Sequence, residues 1–171
     1  MKKTLHTVVG VLAITSLAIA AIISAADKTD DTARVEGPDK PVPVYVGDRR
    51  CKVCHLATFK AWQKTPHARA FETLKEEERK NAICLGCHTT GYGLGGYGND
   101  KIVVDLTAVQ CESCHGPGSL YSRSSVMRDR EESEKLGLVK IGPSTCTQCH
   151  NENSPTFRVF DYNEFIKTGT H

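Results

Sequence analysis

The chain contains the pentapeptide Cys51-Lys52-Val53-Cys54-His55, and its Cys-x-x-Cys-His spacing occurs four times in 171 residues. The other three copies are Cys84–His88, Cys111–His115 and Cys146–His150, and the four together use all eight cysteines. Two intervening residues let both sulfurs reach one edge of a porphyrin, while the histidine that follows turns under the iron. This pattern is the one that attaches haem c through two thioethers and a proximal histidine. The sequence therefore predicts four haem c groups.

This chemistry assigns a role to each cysteine and each histidine of the four motifs. The predicted haem-attachment residues are Cys51, Cys54, Cys84, Cys87, Cys111, Cys114, Cys146 and Cys149. The predicted proximal iron ligands are His55, His88, His115 and His150. Paired zinc knuckles and disulfide bonds are the alternatives. Both leave unexplained why a histidine follows every second cysteine.

The sixth ligands of the four irons are harder to identify, because only three histidines lie outside the motifs. His6 falls in a predicted export signal, which leaves His67 and His171 as candidate distal ligands for four irons. Met127 is the one methionine beyond position 1, and a methionine ligand would raise the haem potential. The alternatives are Tyr121, a lysine amine, water, a histidine of a neighbouring chain, or an open iron that binds a small molecule.

The N-terminus is typical of an exported protein. Lys2 and Lys3 precede an apolar stretch from Val8 to Ala26 that ends in small residues. We expect a signal peptide over residues 1–26, and the alternative is an uncleaved segment that tethers the protein to a membrane through residues 8–26. Residues 27–46 are predicted to be a polar, proline-containing linker, and residues 47–171 a tetrahaem domain. The expected location is periplasmic or extracellular.

Composition limits the fold and the partners. Removal of residues 1–26 leaves 20 basic and 20 acidic residues with no basic run, which argues against a nucleic-acid partner. It also leaves 145 residues for four haems, and aromatic residues make up only 6% of the chain. We therefore expect a compact multihaem c-type cytochrome that is mainly α with extensive irregular loops and whose core is largely haem.

Local patterns predict short elements around the motifs. Helices are expected after the first motif (residues 57–62), from a Thr65 cap to about Lys80, and around residues 128–136 and 162–167, with a short strand over residues 101–106. Residues 91–98 are rich in glycine and formally match a dinucleotide-binding fingerprint. No strand–helix context surrounds them, so we expect a loop that lets the backbone approach a haem.

Residues 47–171 resemble the tetrahaem cytochrome c-554 family. The likeness rests on Cys51–His55 followed by Ala61-Trp62 and Thr65-x-His67-Ala68-x-Ala70, and on Cys84–His88 with the glycine-rich loop. It extends through Cys111-Glu-Ser-Cys-His-Gly-Pro-Gly118 and through Phe160-Asp161 to His171. This family was first recognised as electron acceptors from hydroxylamine oxidoreductase in ammonia oxidisers.

The resemblance implies specific axial ligands. His67 corresponds to the distal ligand of the haem bound by His150, and His171 to that of the haem bound by His115. The haem of His88 corresponds to a five-coordinate site. Arg123 stands where the family has a further distal histidine, so the haem of His55 lacks its expected partner. Three alternatives follow for the sixth ligand of the His55 haem. Met127 or Tyr121 takes the place of the histidine, a neighbouring molecule supplies the ligand, or this haem is open as well as that of His88.

The sequence as a whole predicts an electron carrier rather than an enzyme, one that exchanges electrons with redox proteins outside the cytoplasm. One alternative is a haem enzyme that acts on a small nitrogen compound at the open haem of His88. The other is a homo-oligomer or filament that conducts electrons and in which subunits share an axial ligand.

Overall fold

The structure is a computed structural model that describes residues 41–167. The predicted signal peptide, most of the predicted linker and His171 lie outside these residues. Within them the fold is mainly helical with long irregular connections, as the sequence predicts. Its α-helices are α1 (Asp48–Lys52), α2 (Leu56–Trp62), α3 (Ala82–His88), α4 (Cys111–His115), α5 (Ser124–Met127), α6 (Arg130–Lys135), α7 (Pro143–Cys146) and α8 (Tyr162–Phe165). Every helix in the described part of the chain is too short to cross a bilayer.

Helix α2 confirms the helix expected after the first motif, and it builds the small core. Phe59 and Trp62 lie three residues apart and therefore on one face. Their ring centroids are 5.5 Å apart, and both pack with Ala108, which is also buried. The indole nitrogen of Trp62 donates a hydrogen bond to the carbonyl of Val109 at 2.9 Å, so the core also carries a satisfied polar group.

The continuous helix predicted from Thr65 to Lys80 is wrong. Three separate 3-10 helices occupy this segment: Pro66–Arg69, Phe71–Thr73 and Glu78–Lys80. In an α-helix the carbonyls of His67 and Ala70 would accept from amides four residues later. Instead the His67 carbonyl accepts from the Val109 amide at 3.1 Å, and the Ala70 carbonyl meets the His88 ring. Tertiary contacts therefore replace the local helical bonds.

The cap predicted at the start of that segment also differs. The Thr65 hydroxyl donates to the carbonyl of Trp62 at 2.8 Å and accepts no bond from the turn that follows. Pro66 does lie at the first helical position, as expected. Thr65 thus closes the end of α2 rather than opening a new helix.

The strand predicted over residues 101–106 is also wrong. The described residues contain a single isolated bridge, between Thr89 and Thr107, and residues 101–106 form no ladder. Ile102 instead donates its amide to the carbonyl of Asn99, and the Val103 side chain is 96% exposed. β-branched residues favour strands only where a neighbouring strand and a buried face are present, and this segment has no neighbouring strand and only one buried residue, Leu106.

The two later helices agree with the sequence. Helix α6 lies in the predicted stretch, and the Asp129 side chain caps it by accepting from the Glu132 amide at 3.0 Å. Helix α8 lies in the last predicted stretch and is capped in the same way by Asp161. Both helices begin where a short acidic side chain can satisfy their first amides.

The expected glycine-rich loop is present, and one of its glycines lies against a buried tyrosine. Gly91 has a φ of +72°, and a β-carbon there would overlap the ring of Tyr45. Tyr45 is itself 8% exposed, so the absence of a side chain at Gly91 lets this ring reach the interior. The expected approach of this loop to a haem stays a prediction.

The end of the predicted linker packs against the rest of the fold. The Val44 amide donates to the Ser119 hydroxyl at 2.8 Å, and Tyr45 is buried. The amides of Val46 and Gly47 bind the side chain of Glu112. Residues 44–46 are thus part of the folded unit.

Candidate haem sites

Each motif folds so that its two cysteines and its histidine share one helical turn. The second and third motifs end α3 and α4, whose last residues are His88 and His115. In the first motif the amides of Cys54 and His55 both donate to the Cys51 carbonyl, at 3.2 and 3.0 Å. The fourth motif repeats this arrangement around the Cys146 carbonyl. Residues three apart lie on the same face of a helix, which places both sulfurs on one side.

The cysteines are unpaired, and thiols of different motifs lie together. All eight are free of disulfide bonds. The Cys51 thiol shares a hydrogen bond with that of Cys111, which brings the first motif against the third. The Cys87 and Cys149 thiols share another, which brings the second motif against the fourth. Sequence spacing gave no indication of these two pairs.

The surroundings of the cysteines suit neutral thioethers. Burial raises the pKa of Cys114, and it raises the pKa of Cys149 to about 12. Thiolates are therefore disfavoured at these positions, whereas a zinc site needs them. Among residues 41–167 no three histidine, cysteine, aspartate or glutamate side chains come together as a metal site. The zinc alternative thus finds no ligand set in this part of the chain.

His88 is held in the form that binds iron. Its Nδ1 atom lies 2.6 Å from the carbonyl oxygen of Ala70. A carbonyl can only accept, so Nδ1 carries the proton and Nε2 is left with the free lone pair. Metal-binding histidines are commonly oriented by this kind of bond to a carbonyl. The geometry therefore fits a haem bound through Nε2 of His88.

His67 and His150 lie beside each other at a ring separation compatible with a shared metal. Their ring centroids are 6.0 Å apart, and the ring planes are inclined by 69°. Two imidazoles that bind one metal from opposite sides, each through a nitrogen at about 2 Å, have centroids about 6 Å apart. Phe160 stacks on the His150 ring at 4.8 Å, and desolvation lowers the pKa of His150. A lowered pKa favours the neutral imidazole that binds metal.

The remaining predicted ligands are less informative. His55 is exposed and precedes α2, and His115 ends α4. Met127 ends α5 and is half-buried, and no contact places its sulfur beside a motif histidine. His171 lies outside the described residues. The ligand roles of these residues therefore stay predictions.

Tyr121 is placed to serve the fold rather than an iron. Its side chain is 3% exposed, and its hydroxyl donates to the carbonyl of Gly116 at 2.8 Å. Burial, with a smaller contribution from the charge of Glu112, raises the pKa of Tyr121. An iron ligand would have to be the phenolate, which this environment disfavours.

Glu112 is a functional residue that sequence reasoning missed. It lies between the two cysteines of the third motif and is 2% exposed. Its carboxylate accepts from the amides of Gly118 at 2.6 Å, of Gly47 at 2.7 Å and of Val46 at 3.0 and 3.1 Å. Burial raises the pKa of Glu112, while these amides act in the opposite direction. The side chain thus ties the third motif to the start of the described chain.

Comparison with known proteins points to one group. The family model for cytochrome c554 and c-prime matches residues 50–116. Cytochrome c-554 of Nitrosomonas europaea is 32% identical in an alignment 141 residues long, and the alignment covers 65% of this chain and 60% of that protein. The chain thus spans about 60% of the length of this relative. The structure of reduced cytochrome c554 from Nitrosomonas europaea matches with a TM-score of 0.60 and 26% identity, over 76% of this chain and 85% of that one.

Proposed function

This chain belongs to the cytochrome c554 family, and on that basis we propose that it is an exported electron-transfer protein with four covalently attached haems. Each haem, when bound, accepts and releases one electron at its iron. The protein then acts by holding the irons in a fixed order and by setting their potentials through ligands, burial and nearby charge.

The contacts between motifs carry this proposal. Cys51 lies against Cys111, and Cys87 lies against Cys149. Cys114 is close enough to Cys146 to affect its own pKa through that charge, which connects the third motif with the fourth. Because a haem c is bonded to its cysteines, adjacent sulfurs bring adjacent macrocycle edges together. Four redox groups linked in this way form a path for electrons without a substrate pocket.

The ring arrangement around the fourth motif supports a site built for electron transfer. His67 and His150 would bind one iron from opposite sides, consistent with their 6.0 Å separation. An iron with two histidine ligands has no open position, so reduction changes its charge without forming or breaking a ligand bond. The Phe160 ring stacks on the His150 imidazole and restricts its orientation.

We assign the other sixth ligands as the sequence indicates. His171 would complete the haem of His115, and Met127 is the candidate within the chain for the haem of His55. The haem of His88 has no assigned sixth ligand. Residues 1–26 would direct export, the segment from residue 27 to residue 43 would link, and the unit from residue 44 to residue 171 would carry the haems. The partners would be a donor and an acceptor protein outside the cytoplasm.

The direct test is to mature the full chain in a host equipped for cytochrome c assembly and to measure its mass. We expect an excess of about 2.5 kDa over the processed polypeptide, the mass of four haems. Reductive titration should then take up four electron equivalents per chain. The Cys84→Ala/Cys87→Ala double variant should lose one haem and one equivalent. A mass equal to that of the processed polypeptide without haem, or an added mass that zinc explains, would contradict the proposal.

Further measurements on the same matured protein distinguish an electron carrier from the two alternatives, an enzyme and an oligomer with a shared ligand. Reaction of the reduced protein with nitric oxide, followed by turnover of a small nitrogen compound, would favour an enzyme at the His88 haem. Light scattering that shows an oligomer, together with loss of low-spin haem on dilution, would favour a shared ligand. Four equivalents in a monomer without turnover support the electron carrier.

A further inference from the structure

The carbonyl of Ala70 receives two side-chain donors, one three residues later in the chain and the other eighteen residues later. His88 Nδ1 lies 2.6 Å from this oxygen and donates its proton to it. The Thr73 hydroxyl lies 2.7 Å from the same oxygen and also donates to it. One carbonyl therefore serves both the candidate proximal ligand and a nearby threonine.

The Thr73 hydroxyl influences His88 in two opposite ways, and distance decides which is larger. By donating to Ala70, it draws electron density from the oxygen that His88 uses, which weakens the bond from Nδ1. By accepting from Nδ1 directly, it would add to that bond, but Thr73 Oγ1 and Nδ1 are 3.4 Å apart. A contact of this length is a weak hydrogen bond, whereas 2.7 Å is near the optimum for a hydroxyl donor. The weakening effect therefore dominates.

The strength of the Nδ1 bond controls how much electron density the imidazole gives to a metal. A strong acceptor at Nδ1 makes Nε2 more basic, and a basic ligand stabilises the oxidised metal. A weaker acceptor has the reverse effect. A group that competes for the Ala70 carbonyl should therefore favour the reduced state.

We propose that Thr73 is a positioning residue of the His88 haem site, whose hydroxyl acts through the Ala70 carbonyl to raise the reduction potential of that haem. The proposal rests on the proposed function only in requiring a haem bound through His88. Thr73 is exposed and ends the 3-10 helix Phe71–Thr73, so its hydroxyl can be changed without opening the core.

The location of Ala70 adds to the importance of this bond. The Ala70 amide donates to the carbonyl of His67 at 3.2 Å, and the His67 ring faces His150. The short segment from His67 to Thr73 thus touches two candidate haem sites. Its Ala70 carbonyl and Thr73 hydroxyl make polar contacts with His88, whereas its His67 ring lies beside His150, so an effect on one haem can be separated from an effect on the other.

The test is a redox titration of the holoprotein with Thr73→Val, which keeps the shape of the side chain and removes the hydroxyl. We expect one of the four haems to become about threefold harder to reduce, which is a fall of roughly 28 mV for one electron. Thr73→Ser keeps a hydroxyl and should restore the original potential. Thr156→Val is the matched control, because Thr156 is also an exposed threonine with a hydroxyl contact, to Ser154 at 3.4 Å, and it lies outside the four motifs. It should leave all four potentials unchanged.

The mass of each variant is measured first, so that haem content and potential are read separately. Four haems and an unchanged or raised set of potentials in Thr73→Val would overturn the role of Thr73 and leave the proposed function intact. The same fall in Thr73→Ser as in Thr73→Val would also overturn it, because the hydroxyl would not be the cause. If the matured, unmodified protein carries no haem at His88, both the role of Thr73 and the proposed function are wrong.

Discussion

The Oε2 atom of Glu112 accepts a hydrogen bond from the amide of Gly47, 2.7 Å away in space and 65 residues earlier in the chain. Its Oε1 atom accepts another from Gly118 at 2.6 Å. Both oxygens of one buried carboxylate are thus bonded to backbone amides from two distant segments. The Glu112 side chain therefore joins the segment around Gly47 to the third motif and to the turn around Gly118.

We expect Glu112→Gln to destabilise the protein by about 2 kcal/mol. The amide side chain keeps one acceptor oxygen and turns an N–H₂ group toward a backbone N–H, so at least one bond is lost. Urea unfolding of the holoprotein measures the change. Glu131→Gln is the control, because Glu131 is 81% exposed and its surface pair with Lys135 contributes little. Equal stabilities for the two variants would contradict the role of Glu112.

A second prediction concerns Asp48 and pH. Desolvation, with a smaller contribution from the charge of Asp105, raises the pKa of Asp48 above its ordinary value of 3.8. The folded state therefore holds its proton to a higher pH than the unfolded state does. Stability from this group is present below about pH 3.8 and is lost as pH rises through the folded pKa.

Asp48→Asn should remove that loss, because the amide does not titrate. Urea unfolding at a series of pH values from 3.5 to 6 measures it, and the variant should lose less stability than the unmodified protein as pH rises. Glu131→Gln controls for the loss of a surface carboxylate. Parallel stability profiles for Asp48→Asn and the unmodified protein would show that Asp48 is not the source.

A third prediction follows from the pairing of His67 with His150. His67→Ala should convert one low-spin ferric haem to high-spin and should allow the reduced protein to bind one more equivalent of carbon monoxide. Electron paramagnetic resonance and optical titration measure these changes. Arg69→Ala changes an exposed side chain on the same 3-10 helix and should leave the spectra as they were. Unchanged spectra in His67→Ala would exclude it as an iron ligand.

The fourth prediction tests the packing of the glycine-rich loop. Gly91→Ala should destabilise the protein by about 3 kcal/mol or more, because it adds a clash with Tyr45 to the strain of a positive φ. Gly93 has the same φ of +72° but nothing within 4 Å of an added β-carbon. Gly93→Ala should therefore cost only about 1–2 kcal/mol. Thermal unfolding compares the two, and equal losses would remove Tyr45 from the explanation.

Much of the candidate site was predictable because its chemistry is local in sequence. The motif cysteines and histidines are fixed by spacing within five residues, and α2 follows from the apolar spacing of Phe59 and Trp62. The caps of α6 and α8 are likewise local, since Asp129 and Asp161 bind amides two or three residues away. Patterns of this kind involve residues that are close in the sequence, so they can be recognised without knowledge of the tertiary structure.

The features that escaped prediction all depend on distant residues. The segment after Thr65 is broken because Val109 and His88 use carbonyls that a helix would need. Glu112 looked like an ordinary polar residue inside a motif, and its burial depends on amides from two other segments. One feature of the sequence pointed to it: a lone carboxylate followed closely by Gly-Pro-Gly, whose backbone can approach a side chain.

The hydrogen bond between Cys51 and Cys111 limits the order of events during biogenesis. In an oxidising compartment, two thiols held this near each other are prone to cross-link. A polypeptide that reached its final packing before maturation would thus risk locking the first motif to the third. If the protein is exported as proposed, secretion of an unfolded precursor and attachment of haem at each motif before folding would avoid that cross-link, and the tertiary structure would form only afterwards.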